Sequence, residues 1–192
     1  MQLIAYTGCA DSSARGRFGP ALPGIDKNMR GESILGLYTV PNVYYTFQST
    51  AQTCWRAGYE MLLRYKGKDP TLAHRLPNAA QMATRGIMDH EFYGCASALG
   101  LGGIRYTYFK DISLLEHALR SWGPVWVSGF FFPGTESKHI VVIGGVDVDD
   151  RKVLAYDPWR AYTGAQGKPV LWSFSYFSNN INPVPWACQL WY

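Results

Sequence analysis

The sequence predicts an α+β fold in which an N-terminal helical part packs on a C-terminal antiparallel β-sheet, with a cleft between them. Three observations predict it. Helical periodicity is concentrated before Gly123-Pro124. Runs rich in β-branched and aromatic residues follow it. The composition, with 15% aromatics, 20 Gly and 11 Pro, suits a turn-rich chain with a substantial β component.

The elements can be taken in order. Residues 1–40 read as an irregular arm, because Gly16, Gly19, Pro20, Pro23, Gly24, Gly31 and Gly36 punctuate them too often for long elements. Val40 to Phe47 reads as extended. Ser49-Thr50-Ala51-Gln52-Thr53 then opens a helix, with Ser49 and Gln52 fitting a capping box and Thr50 or Thr53 as rival caps. Ala57, Met61 and Tyr65 share one face of that helix, so Cys54 falls in the first turn of a buried helix. Asn78–Arg85 and Asp89–Leu99 are two shorter helices, and Ile104–Phe109 alternates like a strand. Ser113–Trp122 is amphipathic, starts on a Ser113/Glu116 box and stops at Gly123-Pro124. Val125–Phe132, Ile140–Val146, Val153–Tyr156 and Val170–Phe174 read as strands. The whole, residues 1–192, reads as one domain, mainly helical over 41–122 and mainly β over 123–192.

Composition excludes several classes. With 47% apolar residues in 192, the chain is not disordered. A net charge of +4, spread along the chain without a basic block, describes a solvated surface rather than a nucleic-acid footprint. No apolar run is long enough to span a membrane. Met1 to Ala10 lacks the pattern of a signal peptide, so synthesis in a cytosol is expected, with export by a route that leaves no cleaved signal still open. The cysteines are Cys9, Cys54, Cys95 and Cys188, without a C-x-x-C pair, so no metal site is expected. Among Cys9, Cys95 and Cys188 one disulfide is open, with buried free thiols as the default in a reducing compartment.

Chemistry enters with three residues. Cys54 at a helix N-terminus faces unpaired N–H groups and a dipole that favour its thiolate, though alone it reads as an inert core thiol. His139 stands where the polar loop 133–138 enters the strand run Ile140–Val146. His74, His90 and His117 read as surface residues. Asp157 ends the next strand before Pro158-Trp159. Side chains alternate along strands, so His139 and Asp157 share a face only if paired positions sum to an even number. A three-residue turn over Val148–Asp150 achieves this and sets Asp157 opposite Val141. The two are then diagonal neighbours, roughly 7–8 Å apart between Cα atoms. An even loop without a bulge would set them on opposite faces. Gln48, six residues before Cys54, could aim an amide donor at an oxyanion together with the Cys54 N–H; Gln52 is a nearer rival. Trp55, Trp126 and Trp159 read as core residues.

At this point the sequence resembles the papain-like cysteine proteases. The resemblance rests on Gln48, on Thr53-Cys54-Trp55, and on Cys, His and Asp in that order. Gly123-Pro124-Val125-Trp126-Val127, His139–Val146 and Asp157-Pro158-Trp159 look especially like the compact bacterial branch, which includes pathogen effector proteases and bacteriocin-leader peptidases. The similarity covers about residues 40–178. It implies a papain-like fold, Cys54 as nucleophile, His139 as base, Asp157 as the orienting group and Gln48 in the oxyanion hole. It implies no cofactor. The sequence departs from papain itself: Ala51-Gln52-Thr53 precedes Cys54, and His139 follows Cys54 by only 85 residues, against about 130 in papain-type enzymes. The expected function is a cysteine endopeptidase acting on proteins or peptides, as a delivered effector or toxin, with an immunity or inhibitor protein covering the cleft. Two alternatives keep the same residues: an amidase for peptidoglycan crosslinks or isopeptide bonds, and a catalytically retired binding module.

Overall fold

The computed structural model describes residues 36–103, 109–132, 137–159, 168–182 and 189–191. They begin with β1 (Tyr38–Thr39) and α1 (Cys54–Tyr65), followed by a 3₁₀ turn (Pro70–Arg75), α2 (Ala79–Arg85) and α3 (Asp89–Leu99). After β2 (Gly102–Gly103) come α4 (Ile112–Trp122), β3 (Val125–Gly129), β4 (His139–Asp147) and β5 (Lys152–Tyr156). β6 (Val170–Ser173), α5 (Phe174–Asn180) and β7 (Gln189–Trp191) end the series. The described strands form one antiparallel sheet in the order β2-β7-β3-β4-β5-β6, and β1 pairs with β4. Helices followed by an antiparallel sheet is the predicted α+β arrangement.

Both faces of the sheet are covered, which is why every residue of β3 and nearly every residue of β4 is buried. On one face Trp126, Ile140, Val142, Leu154 and Tyr156 meet Trp55, Tyr59 and Met61 of α1 and the short helices behind it. On the other, Val125, Val127, Val141, Ile143, Val153 and Ala155 meet Leu115 and Leu119 of α4 and Phe177 of α5. Each fully buried large side chain stabilises the fold by about 1.5–3 kcal/mol. Gly58 sets the approach of α1 to the sheet. A Cβ there would lie 2.6 Å from Trp126 Cδ1 and 3.1 Å from Ile140 Cγ2.

Several local expectations are corrected, each for a physical reason. The run Val40–Phe47 forms no strand: β1 ends just before it, and the Val40 N–H is donated to the Gly144 carbonyl at 2.7 Å. Pro41 then has no N–H to give, and Asn42 turns the chain at φ +60°. The Ser113/Glu116 capping box does not form. Asp111 caps α4 instead, accepting from the Ser113 and Leu114 N–H groups, while Glu116 bonds Arg120 one turn on. β3 ends at Gly129 rather than Phe132, because the Phe130 N–H is taken by the Asn180 carbonyl. Phe174 opens α5 rather than closing a strand, since Ser173 caps that helix. The Ile104–Phe109 strand falls mostly outside the described residues.

Candidate active site

Cys54 is the first residue of α1, inside the first turn expected for it. The cap differs from the expected box. Thr53 occupies the N-cap position without a side-chain cap bond. Its hydroxyl points backwards, accepting from the N–H groups of Ser49 at 3.1 Å and Thr50 at 3.0 Å and donating to the Thr50 carbonyl at 3.1 Å. Thr53 thus knots the loop 49–53 and leaves the first N–H groups of α1 free of a capping side chain. Cys54 is buried, yet it forms part of the wall of a cleft of about 560 Å³.

His139 opens β4, and Asp157 directly follows β5. The β4–β5 turn is not the three-residue loop that would give even parity directly. Asp147 pairs with Lys152, leaving four residues, Val148–Arg151, in the turn. That turn alone would set His139 and Asp157 on opposite faces. A bulge at Gly144 reverses the parity: Gly145 pairs with Leu154, but Ile143 pairs with Ala155 and Val142 with Tyr156. Asp157 therefore comes to lie opposite Val141 after all. A glycine suits the bulge, because a Cβ at Gly144 would stand 2.6 Å from the Tyr156 ring.

The result is a buried pair. His139 and Asp157 are 2% and 1% exposed, and His139 Nε2 lies 2.6 Å from Asp157 Oδ1. Asp157 Oδ1 also accepts the Trp159 N–H at 2.8 Å, and the Asp157 carbonyl accepts the Tyr45 hydroxyl. With Nε2 committed to the carboxylate, Nδ1 is the ring nitrogen left for sulfur. The Cys54 sulfur is close enough to the ring to act on its charge. Burial works against a charged imidazole, but the bond to Asp157 and the sulfur beside it outweigh burial and raise His139 from 6.5 to about 9. Phe132 stacks on the ring at 4.5 Å between centroids, and Trp159 meets Phe132 edge-on at 5.8 Å. These aromatics shield the pair from water. Cys95 is a second core thiol. Cys95 is pushed up to about 11 by burial, with Glu91 adding to it.

The other anticipated residues are placed as follows. Gln48 is tied beside Asp157, its N–H donated to the Pro158 carbonyl at 3.1 Å. Its amide nitrogen donates to the Thr50 carbonyl at 2.8 Å, and its Oε1 is buried without a partner among the described residues. Gln52 is exposed and lines the cleft with Cys54. His74, His90 and His117 are exposed. Trp55 and Trp126 are fully buried core residues, while Trp159 is half-buried against Phe132. Cys54 and Cys95 are free thiols; Cys9 and Cys188 lie outside the described residues. Sequence reasoning missed Phe132, Tyr45 and the role of Thr53. Only Thr53 left a local signal, a hydroxyl three and four residues after the N–H groups it holds. No group of three or more His, Cys, Asp or Glu among the described residues could hold a metal, and no described helix is long and apolar enough to cross a membrane.

Fold and site point to one class. The peptidase domain of Streptococcus ComA, a bi-functional ABC transporter involved in a quorum-sensing pathway, matches with a TM-score of 0.54 at 15% identity, over 78% of this chain and 96% of that one. This is the papain-like peptidase fold. The family model of the papain-like cysteine protease AvrRpt2 matches residues 37–180, and the chain belongs to that family. It is a cysteine protease, a hydrolase. No curated protein matches it at the sequence level.

Proposed function

We propose that this protein is an endopeptidase that hydrolyses peptide bonds through Cys54, His139 and Asp157. The carrying observation is the buried 2.6 Å His139–Asp157 bond, with the Cys54 sulfur at the start of α1 close enough to act on the same ring. Cys54 gives its proton to His139 Nδ1, and Asp157 holds the resulting imidazolium through Nε2. The thiolate attacks the substrate carbonyl carbon, forming a C–S bond and moving the carbonyl electron pair onto oxygen. The Cys54 backbone N–H and a Gln48 amide hydrogen stabilise that oxyanion; the amide nitrogen has a second hydrogen beyond the one given to Thr50. Collapse breaks the C–N bond, and His139 protonates the departing amine. Water, deprotonated by His139, then cleaves the thioester and returns the thiol. The residues require no metal or organic cofactor for these steps.

The substrate is a protein or peptide, and the biological setting is that of a delivered effector or toxin. That setting rests on the similarity to pathogen effector proteases, and it calls for an inhibitor protein over the cleft wherever the producer must be protected. Terminal-peptide mass spectrometry of cells expressing wild type or Cys54→Ala tests the reading. New peptide termini should appear with the wild type alone. Identical termini in both would remove Cys54 from the chemistry. Release of peptidoglycan crosslinks, with no new protein termini, would make the enzyme an amidase instead.

A further inference from the structure

We infer that the Ser128 hydroxyl is a specificity-determining group of this protease, reading a hydrogen-bonding tip on the substrate side chain that enters the cleft. The inference rests on the reading of Cys54 as nucleophile. Ser128 lies on β3 directly across from Ile140, and both line the cleft that Cys54 borders. It sits two residues from Trp126, whose side chain is on the α1 face, so strand alternation sends the Ser128 side chain to that same face. Ser128 is 0% exposed, and its Oγ has no hydrogen-bond partner among the described residues. A buried, unpaired hydroxyl destabilises the protein relative to an apolar residue of the same size. That cost is relieved when a ligand supplies the partner.

The surroundings narrow the ligand. Ile87, Met88, Phe92 and Ile140 give the cleft apolar walls. Its permanently charged groups are already engaged: Arg85 holds Glu91 through both terminal nitrogens, and Lys138 holds Asp89. A charged side chain would therefore find no free counter-charge among these groups. Ser128 is the buried lining residue whose polar atom lacks a partner among the described residues. The fitting occupant is uncharged, with an apolar body and a polar end. Tyrosine has that form, and phenylalanine is the matched side chain without the hydroxyl.

The test is a digest of a proteome-derived peptide library by wild type, Cys54→Ala, Ser128→Ala and Ser128→Thr, read by mass spectrometry of the new termini. At one position flanking the cleaved bond, the wild type should favour Tyr over Phe. Ser128→Ala should shift the Tyr:Phe ratio toward Phe on the order of tenfold, since an apolar pocket discriminates poorly against an added hydroxyl. Ser128→Thr, which keeps the hydroxyl, should retain the Tyr preference; should the alanine variant not fold, Ser128→Cys, close in size but a weak hydrogen-bonder, carries the test and should show the same shift toward Phe. A matched Tyr/Phe peptide pair should show the same change in the ratio of kcat/KM. Equal Tyr:Phe ratios in wild type and Ser128→Ala at every position would overturn the role of Ser128 while leaving the protease reading intact. No cleavage by wild type beyond the Cys54→Ala background would instead remove the nucleophile, and this inference with it.

Discussion

At the scale of single residues, the imidazole of His139 carries the most information. Its raised value of about 9 has two consequences. The first concerns stability. A histidine whose folded value lies above its ordinary 6.5 contributes stability that is fully present below 6.5 and is lost as pH rises through about 9. The melting temperature of the wild type should therefore fall as pH rises across that window, and calorimetry should find a smaller fall in His139→Gln. The second concerns activity. The alkaline limb of kcat/KM should have its midpoint near 9, and Asp157→Asn should move it down, because the carboxylate is one of the groups that raises it. Gln48 supports a separate prediction. Gln48→Ala should lower kcat by about 10²–10³-fold, the usual loss of one oxyanion donor, while Gln52→Ala should cost far less. Steady-state kinetics with one peptide substrate would read both, and equal losses would assign the hole to the wrong glutamine.

At the scale of elements, the β4–β5 hairpin shows how local rules combine. A turn of three residues, Val148–Asp150, would give even parity directly; the turn holds four, with Arg151 at φ +50°. The parity that His139 and Asp157 require survives because Gly144 is left out of the ladder. Periodicity could reveal the need for even parity but could not reveal which device supplied it. A bulge depends on the Tyr156 ring lying over Gly144 and on the Val40 N–H taking the Gly144 carbonyl, and both are partners remote in sequence. Gly144→Ala should consequently cost about 1–3 kcal/mol through overpacking against Tyr156. It should also lower activity, because relief of the clash disturbs the register that holds Asp157. Urea unfolding and peptide turnover would measure the two effects.

At the scale of the whole molecule, the site exists only where the helical layer meets the sheet. Cys54 comes from α1, His139 and Asp157 from the ends of neighbouring strands, and Gly58 governs how closely the two parts approach. Gly58→Ala would improve helix propensity by about 1 kcal/mol. It would also drive a Cβ into Trp126, whose ring is stacked on Tyr59 at 5.3 Å and met edge-on by Phe92 at 5.2 Å. The ring has little room to yield, so the variant should lose about 1–3 kcal/mol net. Activity should fall with it as the thiol is moved from the imidazole, with differential scanning calorimetry and peptide turnover as the readouts.

The amino-acid order by itself determined the fold class and most elements between Cys54 and Tyr156, and it singled out three residues, Cys54, His139 and Asp157, that the fold brings together. Those features are written in local periodicity, in the helix start after Thr53 and in strand parity, which act over a few residues. Tertiary structure alone decided the bulge at Gly144, the stacking of Phe132 on His139, the orientation of the Gln48 amide and the unpaired hydroxyl of Ser128 beside the cleft. Each of these is set by packing between segments far apart in the chain. A linear pattern carries no distance information across such gaps.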